Sequence, residues 1–253
     1  MMSSKATHDS IDPVGAGALS YWECSKRPLE ILIFLAPLIL VYEICLLGVL
    51  RMGSDVLTNG AHKSIATLFE FLGIPIAGIA LPGIILVVVL LAWQFLLRAP
   101  WRFQWSTIGL MWLESLLLAV PLLLAAQLLS GTTALALETD QSGGLVAHLA
   151  IAIGAGLYEE LVFRWVLIGI VHAIACDLFK ARHSVGLGIG VVISAVAFAS
   201  YHPIAGDSWE QCAFFLTAGL FFSVIFVTRG FGIVAATHAL YDVAVFLLDA
   251  QTA

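Results

Sequence analysis

Beyond a polar start, apolar stretches alternate with short polar joints along this chain. A helix needs about 20 apolar residues to cross a bilayer core. Runs of that order fall at 29–50, 74–97, 107–129, 145–176, 185–202, 209–228 and 231–249. The pattern predicts an all-α polytopic transmembrane bundle of about seven spans, with six to eight compatible with the length. Short joints imply antiparallel neighbours. Residues 60–72 (GAHKSIATLFEFL) read as an amphipathic segment at the membrane interface.

Two runs carry more than apolar length. The fourth, 145–176, is too long for one perpendicular crossing: it makes about 48 Å of helix against a core of about 30 Å. It must tilt, break or protrude, and Gly154 and Gly156 are plausible places for a break. The fifth places Gly186, Gly190, Ser194, Phe198 and His202 in steps of four, along one ridge. Small residues on a ridge let membrane helices approach closely. Pro203 disfavours helix at the residue before it and so ends this span at His202. Asp207, with Glu210 three residues on, reads as the N-cap of the sixth span.

Composition agrees with a membrane chain. The 253 residues are 61% hydrophobic and 11% charged, whereas a soluble domain is about a quarter charged. Residues 1–28 form a polar tail without the apolar h-region of a cleaved signal. Residues 29–250 are expected to form one transmembrane domain, with the catalytic half at about 145–249. The net charge of −6 says little about partners, since orientation follows local Lys and Arg placement. Nothing resembles a basic nucleic-acid patch, so no nucleic-acid partner is expected. Cys24, Cys45, Cys176 and Cys212 are scattered without a CxxC pair, against a disulfide framework or a thiolate metal site.

Lys26 and Arg27 stand directly before the first run, as for a cytoplasmic N-terminus. The inner joints then carry Arg98 with Arg102, Lys180 with Arg182, and Arg229. The outer joints after spans three and five carry Glu138 with Asp140, and Asp207 with Glu210. The first outer joint, with Arg51 and Lys63, is the exception. The expectation is a multi-pass protein of the cell membrane with its N-terminus inside.

Against this background, ionisable groups inside the runs stand out. A charge at the bilayer centre is costly, so such residues face the bundle interior and mark function. On a helix Glu160 and Arg164 are four apart and can pair. Glu159 sits about 100° around, with Ala152, Ala155 and Gly156 near its face. Adjacent carboxylates in low dielectric disfavour double ionisation, and a guanidinium relieves that. Glu160 is thus expected to be held by Arg164, leaving Glu159 for general base work. The plain alternative is an interfacial helix end with ordinary carboxylates. His238 and Asp242 share a face of the last span. Asp242 can fix the tautomer of His238, or the pair can ligate a metal. His202 gains weight only beside these motifs. His172 and His148 read as bland, and Glu43 and Glu114 stay outside the proposed set.

EExxxR (Glu159 to Arg164), FxxxH (Phe198 to His202) and HxxxD (His238 to Asp242), in this order on three hydrophobic spans, resemble the CPBP family. These are the CAAX-prenyl-endopeptidase and bacteriocin-processing (Abi) intramembrane proteases. The resemblance covers about 159–242. It implies a catalytic set of Glu159, Glu160, Arg164, His202, His238 and Asp242. Glu159 would activate water for attack on a peptide carbonyl, with Glu160 and Arg164 orienting and balancing it. His202 would help hold the water. His238, with the residue at 242, would stabilise the oxyanion. The family pattern accepts Asn or Asp at that last position. An ionised Asp cannot donate a hydrogen bond, so Asp242 is either protonated or acts by orienting His238.

The expected cofactor is none. The alternative is zinc on Glu159, His202 and His238, although no HExxH is present. Expected partners are membrane lipid and a peptide or protein substrate with a C-terminal or membrane-embedded cleavage site. Two other functions compete: a divalent cation or proton transporter, and a non-catalytic membrane binding protein. Transporters often show two related halves, whereas here the ionisable cluster lies wholly in the second half.

Overall fold

The computed structural model describes residues 20–51, 81–130, 145–202 and 208–249. These residues form helices and no strand: α1 (Tyr21–Cys24), α2 (Pro28–Arg51), α3 (Leu81–Leu96), α4 (Trp105–Ser130), α5 (Leu145–Leu178), α6 (His183–Tyr201), α7 (Trp209–Arg229) and α8 (Phe231–Asp249). Six of them are long and apolar enough to cross a membrane. The chain is therefore a multi-pass helical membrane protein. The second expected span is described only as α3, and residues 74–80 lie outside the described residues, as does the amphipathic segment 60–72.

The last helix is the hub. Its residues Ile233 to Ala239 are all buried, so α8 is covered on every side over two turns. It packs against α5, α4 and α7, while α6 packs against α7 and α5. The outer faces of α4 and α6 carry exposed Leu117, Leu124, Val192 and Val196, which suits contact with lipid. Lipid tails are as apolar as leucine, so close packing has to supply what burial from water supplies elsewhere. Glycines supply it here. A Cβ at Gly156 would lie 2.6 Å from the Ala239 Cβ on α8, and one at Gly219 would lie 3.0 Å from the Ala195 backbone on α6.

Three expectations need correction. The fourth run does not break at Gly154 or Gly156. It runs unbroken over 34 residues, and its residues Ala155–Ile168 are wound as a π-helix. Such i→i+5 winding is rare and recurs at functional sites. Gly156 is needed for contact with α8 rather than for a bend. The N-cap of α7 is Ser208, whose hydroxyl accepts from the Gln211 N–H at 3.4 Å, in place of Asp207. Arg229 is not a loop charge: it is buried and ion-paired with Glu114.

The ridge on α6 packs as its spacing predicts. Gly186, Gly190, Ser194 and Phe198 are all buried. The Ser194 hydroxyl donates to the Phe163 carbonyl at 2.7 Å, joining α6 to α5. The helix ends at Tyr201, and His202 is extended at φ −80° and ψ 132°.

Residues 20–27, read as the end of a polar tail, are tied to the bundle. Tyr21 donates to Glu114, and the Arg229 guanidinium lies 3.6 Å over the Trp22 ring. None of the four cysteines is in a disulfide.

Candidate active site

The acidic motif lies in the π-wound part of α5. Glu160 and Arg164 are both fully buried and meet at 3.1 Å. The guanidinium also sits 4.2 Å over the Phe198 ring of α6 and donates to the Gly219 carbonyl of α7 at 3.5 Å. The cation thus has a carboxylate, a carbonyl and an aromatic face, which is what a charge removed from water requires.

The Glu160 oxygen that meets Arg164 also accepts from His238 Nδ1, at 2.7 Å. The other ring nitrogen, Nε2, faces Asp242 Oδ2 at 3.4 Å. Each ring nitrogen of His238 therefore has a carboxylate before it. Asp242 is placed to orient the ring, and it need not donate to do so.

His202 closes the other side of Glu159. Its Nδ1 lies 2.8 Å from the Phe198 carbonyl. A carbonyl only accepts, so Nδ1 carries the proton. Nε2 then faces Glu159 Oε2 at 3.6 Å. That oxygen has no hydrogen-bond donor among the described residues, and Glu159 is 4% exposed. The sequence left a question of depth, with His202 at a helix end and Glu159 in mid-run. The geometry answers it: the end of α6 lies beside the middle of α5 without any break in α5.

All six expected residues therefore meet in one cluster, with Glu159, Glu160, Arg164 and His238 buried and His202 and Asp242 half-buried. The wall from α7 was not expected. Phe215 stacks on His202 with centroids 4.3 Å apart. Phe222 stacks on His238 at 4.5 Å. An aromatic stripe on a membrane helix reads as packing, and only the i, i+4, i+7 spacing of Phe215, Gly219 and Phe222 hinted at a shared face.

The other singled-out groups lie elsewhere. His172 meets His183 at 2.8 Å, and His148 stacks on Phe246. Glu114 belongs to the Arg229 clamp. Glu43 lies against Gly83, where a Cβ would meet its carboxyl.

The alternative cofactor is zinc on Glu159, His202 and His238. Among the described residues no three His, Cys, Asp or Glu side chains form a metal-holding group. Both ring nitrogens of His238 face carboxylates, while the bond from His202 Nδ1 to a backbone carbonyl leaves the Nε2 lone pair directed at Glu159.

Residues 141–244 match the family model described as type II CAAX prenyl endopeptidase Rce1-like. That segment carries all three motifs, and the match supports the CPBP family of intramembrane proteases. No curated protein and no solved structure gave a significant match.

Proposed function

From a segment that matches the CAAX endopeptidases and carries every residue of the cluster, we propose that this protein hydrolyses a peptide bond in a membrane-embedded or lipidated substrate by means of a glutamate-activated water. The substrate class that suits the family is a prenylated peptide C-terminus. The observation that carries the reading is the facing of Glu159 Oε2 and His202 Nε2. With Nδ1 protonated, a neutral His202 offers only a lone pair at Nε2, so two acceptors confront one another. A donor with two hydrogens satisfies both, and water is that donor. Two bonds of about 2.8 Å at a water's angle span about 4.4 Å, so the pair has only to open by under an ångström.

The chemistry follows from these positions. Glu159 takes a proton as the water oxygen bonds to the scissile carbonyl carbon. The carbonyl oxygen becomes an oxyanion, and His238 Nε2–H, held only loosely by Asp242, donates to it. Nδ1 stays anchored on Glu160. A donor so placed in a water-poor site is worth about 3–4 kcal/mol. Glu159 then passes its proton to the leaving amine as the C–N bond breaks. Arg164 holds Glu160 in place. No step is routed through a metal. The basic joints 26–27, 98–102 and 180–182 face the cytoplasm, with the N-terminus inside the cell membrane.

The test is cleavage of a farnesylated, internally quenched CAAX peptide by the purified protein in detergent. Glu159→Gln is expected to lose at least 100-fold in kcat with an unchanged melting temperature, and a chelator is expected to leave the parent rate unaltered. Undiminished turnover by Glu159→Gln would remove Glu159 as the base. Loss on chelation, restored by zinc, would replace this mechanism with a metal-assisted one.

A further inference from the structure

The three motif-bearing helices supply every ionisable group of the site, yet two histidines on different helices must hold a fixed spacing and ring plane to serve one reaction. Neither is held by its own helix alone. His202 lies past the end of α6 in extended backbone, where its own helix offers the Nδ1 bond to the Phe198 carbonyl and the rings of Phe198 and Tyr201. His238 has Asp242 of its own helix before Nε2, and depends on Glu160 of α5 at Nδ1.

Both rings rest on α7. The His202 and Phe215 planes differ by 21°, and those of His238 and Phe222 by 23°. Both pairs are face to face rather than edge-on, in a bundle where most aromatic pairs near the site are edge-on or tilted. Phe215 and Phe222 are seven residues apart, about 10.5 Å along a helix, and point the same way. Between them Gly219 offers its carbonyl to Arg164. The Ser223 hydroxyl donates to that carbonyl too, at 2.8 Å. Gly219 also lets α7 lie against the Ala195 backbone, so the stripe cannot drift from α6.

We infer that α7, which carries none of the three motifs, is the template of the site: Phe215 and Phe222 are positioning residues that set the separation and ring planes of His202 and His238. The inference rests on the peptidase reading for its kinetic consequence, but the stacking itself can be read without turnover. A flat aromatic face blocks rotation of an imidazole about its long axis. A leucine of similar volume fills the space and leaves the ring free to turn.

The experiment uses the full chain in detergent with the farnesylated peptide above. Phe215→Leu and Phe222→Leu are compared with Leu220→Ala on the lipid side of the same helix. Each leucine variant is expected to lose at least tenfold in kcat, with KM within twofold and an unchanged melting temperature. Each should also displace the pH–rate profile, and Phe222→Tyr should restore most of the rate. In protein labelled at histidine, the His238 ring protons should lose the ring-current shift in Phe222→Leu, and those of His202 in Phe215→Leu. Parental kcat and pH profile in both leucine variants would overturn the template, as would a loss of rate that follows a falling melting temperature. Imidazole signals unmoved by the leucines would overturn it independently of activity. Were the parent protein to leave the farnesylated peptide uncut, the peptidase reading would fall while the imidazole shifts still judged the stacking.

Discussion

A single oxygen of Glu160 takes both the Arg164 guanidinium and the His238 ring, at 3.1 and 2.7 Å. Deleting the cation leaves that carboxylate buried and uncompensated. Breaking a buried pair from one side costs about 3–5 kcal/mol, whereas replacing both partners with apolar or neutral groups is often close to neutral. Arg164→Met is therefore expected to lower the melting temperature strongly. The double variant Glu160→Gln with Arg164→Met should recover much of that loss without recovering cleavage. Thermal unfolding in detergent checks both. A double variant as unstable as the single would mean that Arg164 acts through its contacts with Phe198 and Gly219 rather than through its charge.

At the scale of elements, the site depends on how closely α5 and α8 approach. Gly156 stands three residues before Glu159, and a Cβ there would come within 2.6 Å of Ala239, the neighbour of His238. Overpacking of this kind costs about 1–3 kcal/mol. It would also push Glu160 away from His238. Gly156→Val is expected to lose stability and cleavage together. Gly169 on the same helix has nothing within 4 Å of its would-be Cβ, and Gly169→Ala should be neutral or gain about 0.5–1 kcal/mol. A matched pair of melting curves separates the two. The motif spacing alone could not reveal this contact. A glycine in a long apolar run reads equally as a hinge or as a gap, and the facing helix decides between them.

At the scale of the whole molecule, a clamp at one end joins α1, α4 and α7. Glu114 binds the Arg229 guanidinium, with Nη2 to Oε2 at 2.7 Å, and Tyr21 donates to the same carboxylate. Burial, and then Glu114 beside it, push the Tyr21 hydroxyl up to about 12 from its ordinary 10. A group raised in the folded state stabilises fully below its unfolded value. That contribution is lost as the pH rises from 10 through 12. The parent is expected to lose thermal stability across this window, and Tyr21→Phe should lose less there. Melting temperatures measured from pH 8 to 12 check the sign. The clamp sits at the end of α7 that carries Phe222, so it also bears on how firmly that stripe is seated.

The positions of the spans were legible because hydrocarbon admits only backbone that satisfies its own hydrogen bonds, which makes long apolar runs into helices wherever they occur. The six ionisable residues were legible for the converse reason: a charge is too costly among lipid tails to persist without a purpose. Helical spacing further paired Glu160 with Arg164 and His238 with Asp242, since partners four apart share a face. Contacts between helices were another matter. In lipid no face is driven inward by water, so a Phe215 or Phe222 that aligns a histidine reads like one that faces acyl chains. Arg229 read as a loop charge because its partner lies 115 residues earlier. Which helix lies at the centre, which glycine admits a neighbour, and which ring rests on which imidazole were decided only by packing in three dimensions, where shape and distance discriminate among surfaces that hydropathy makes equal.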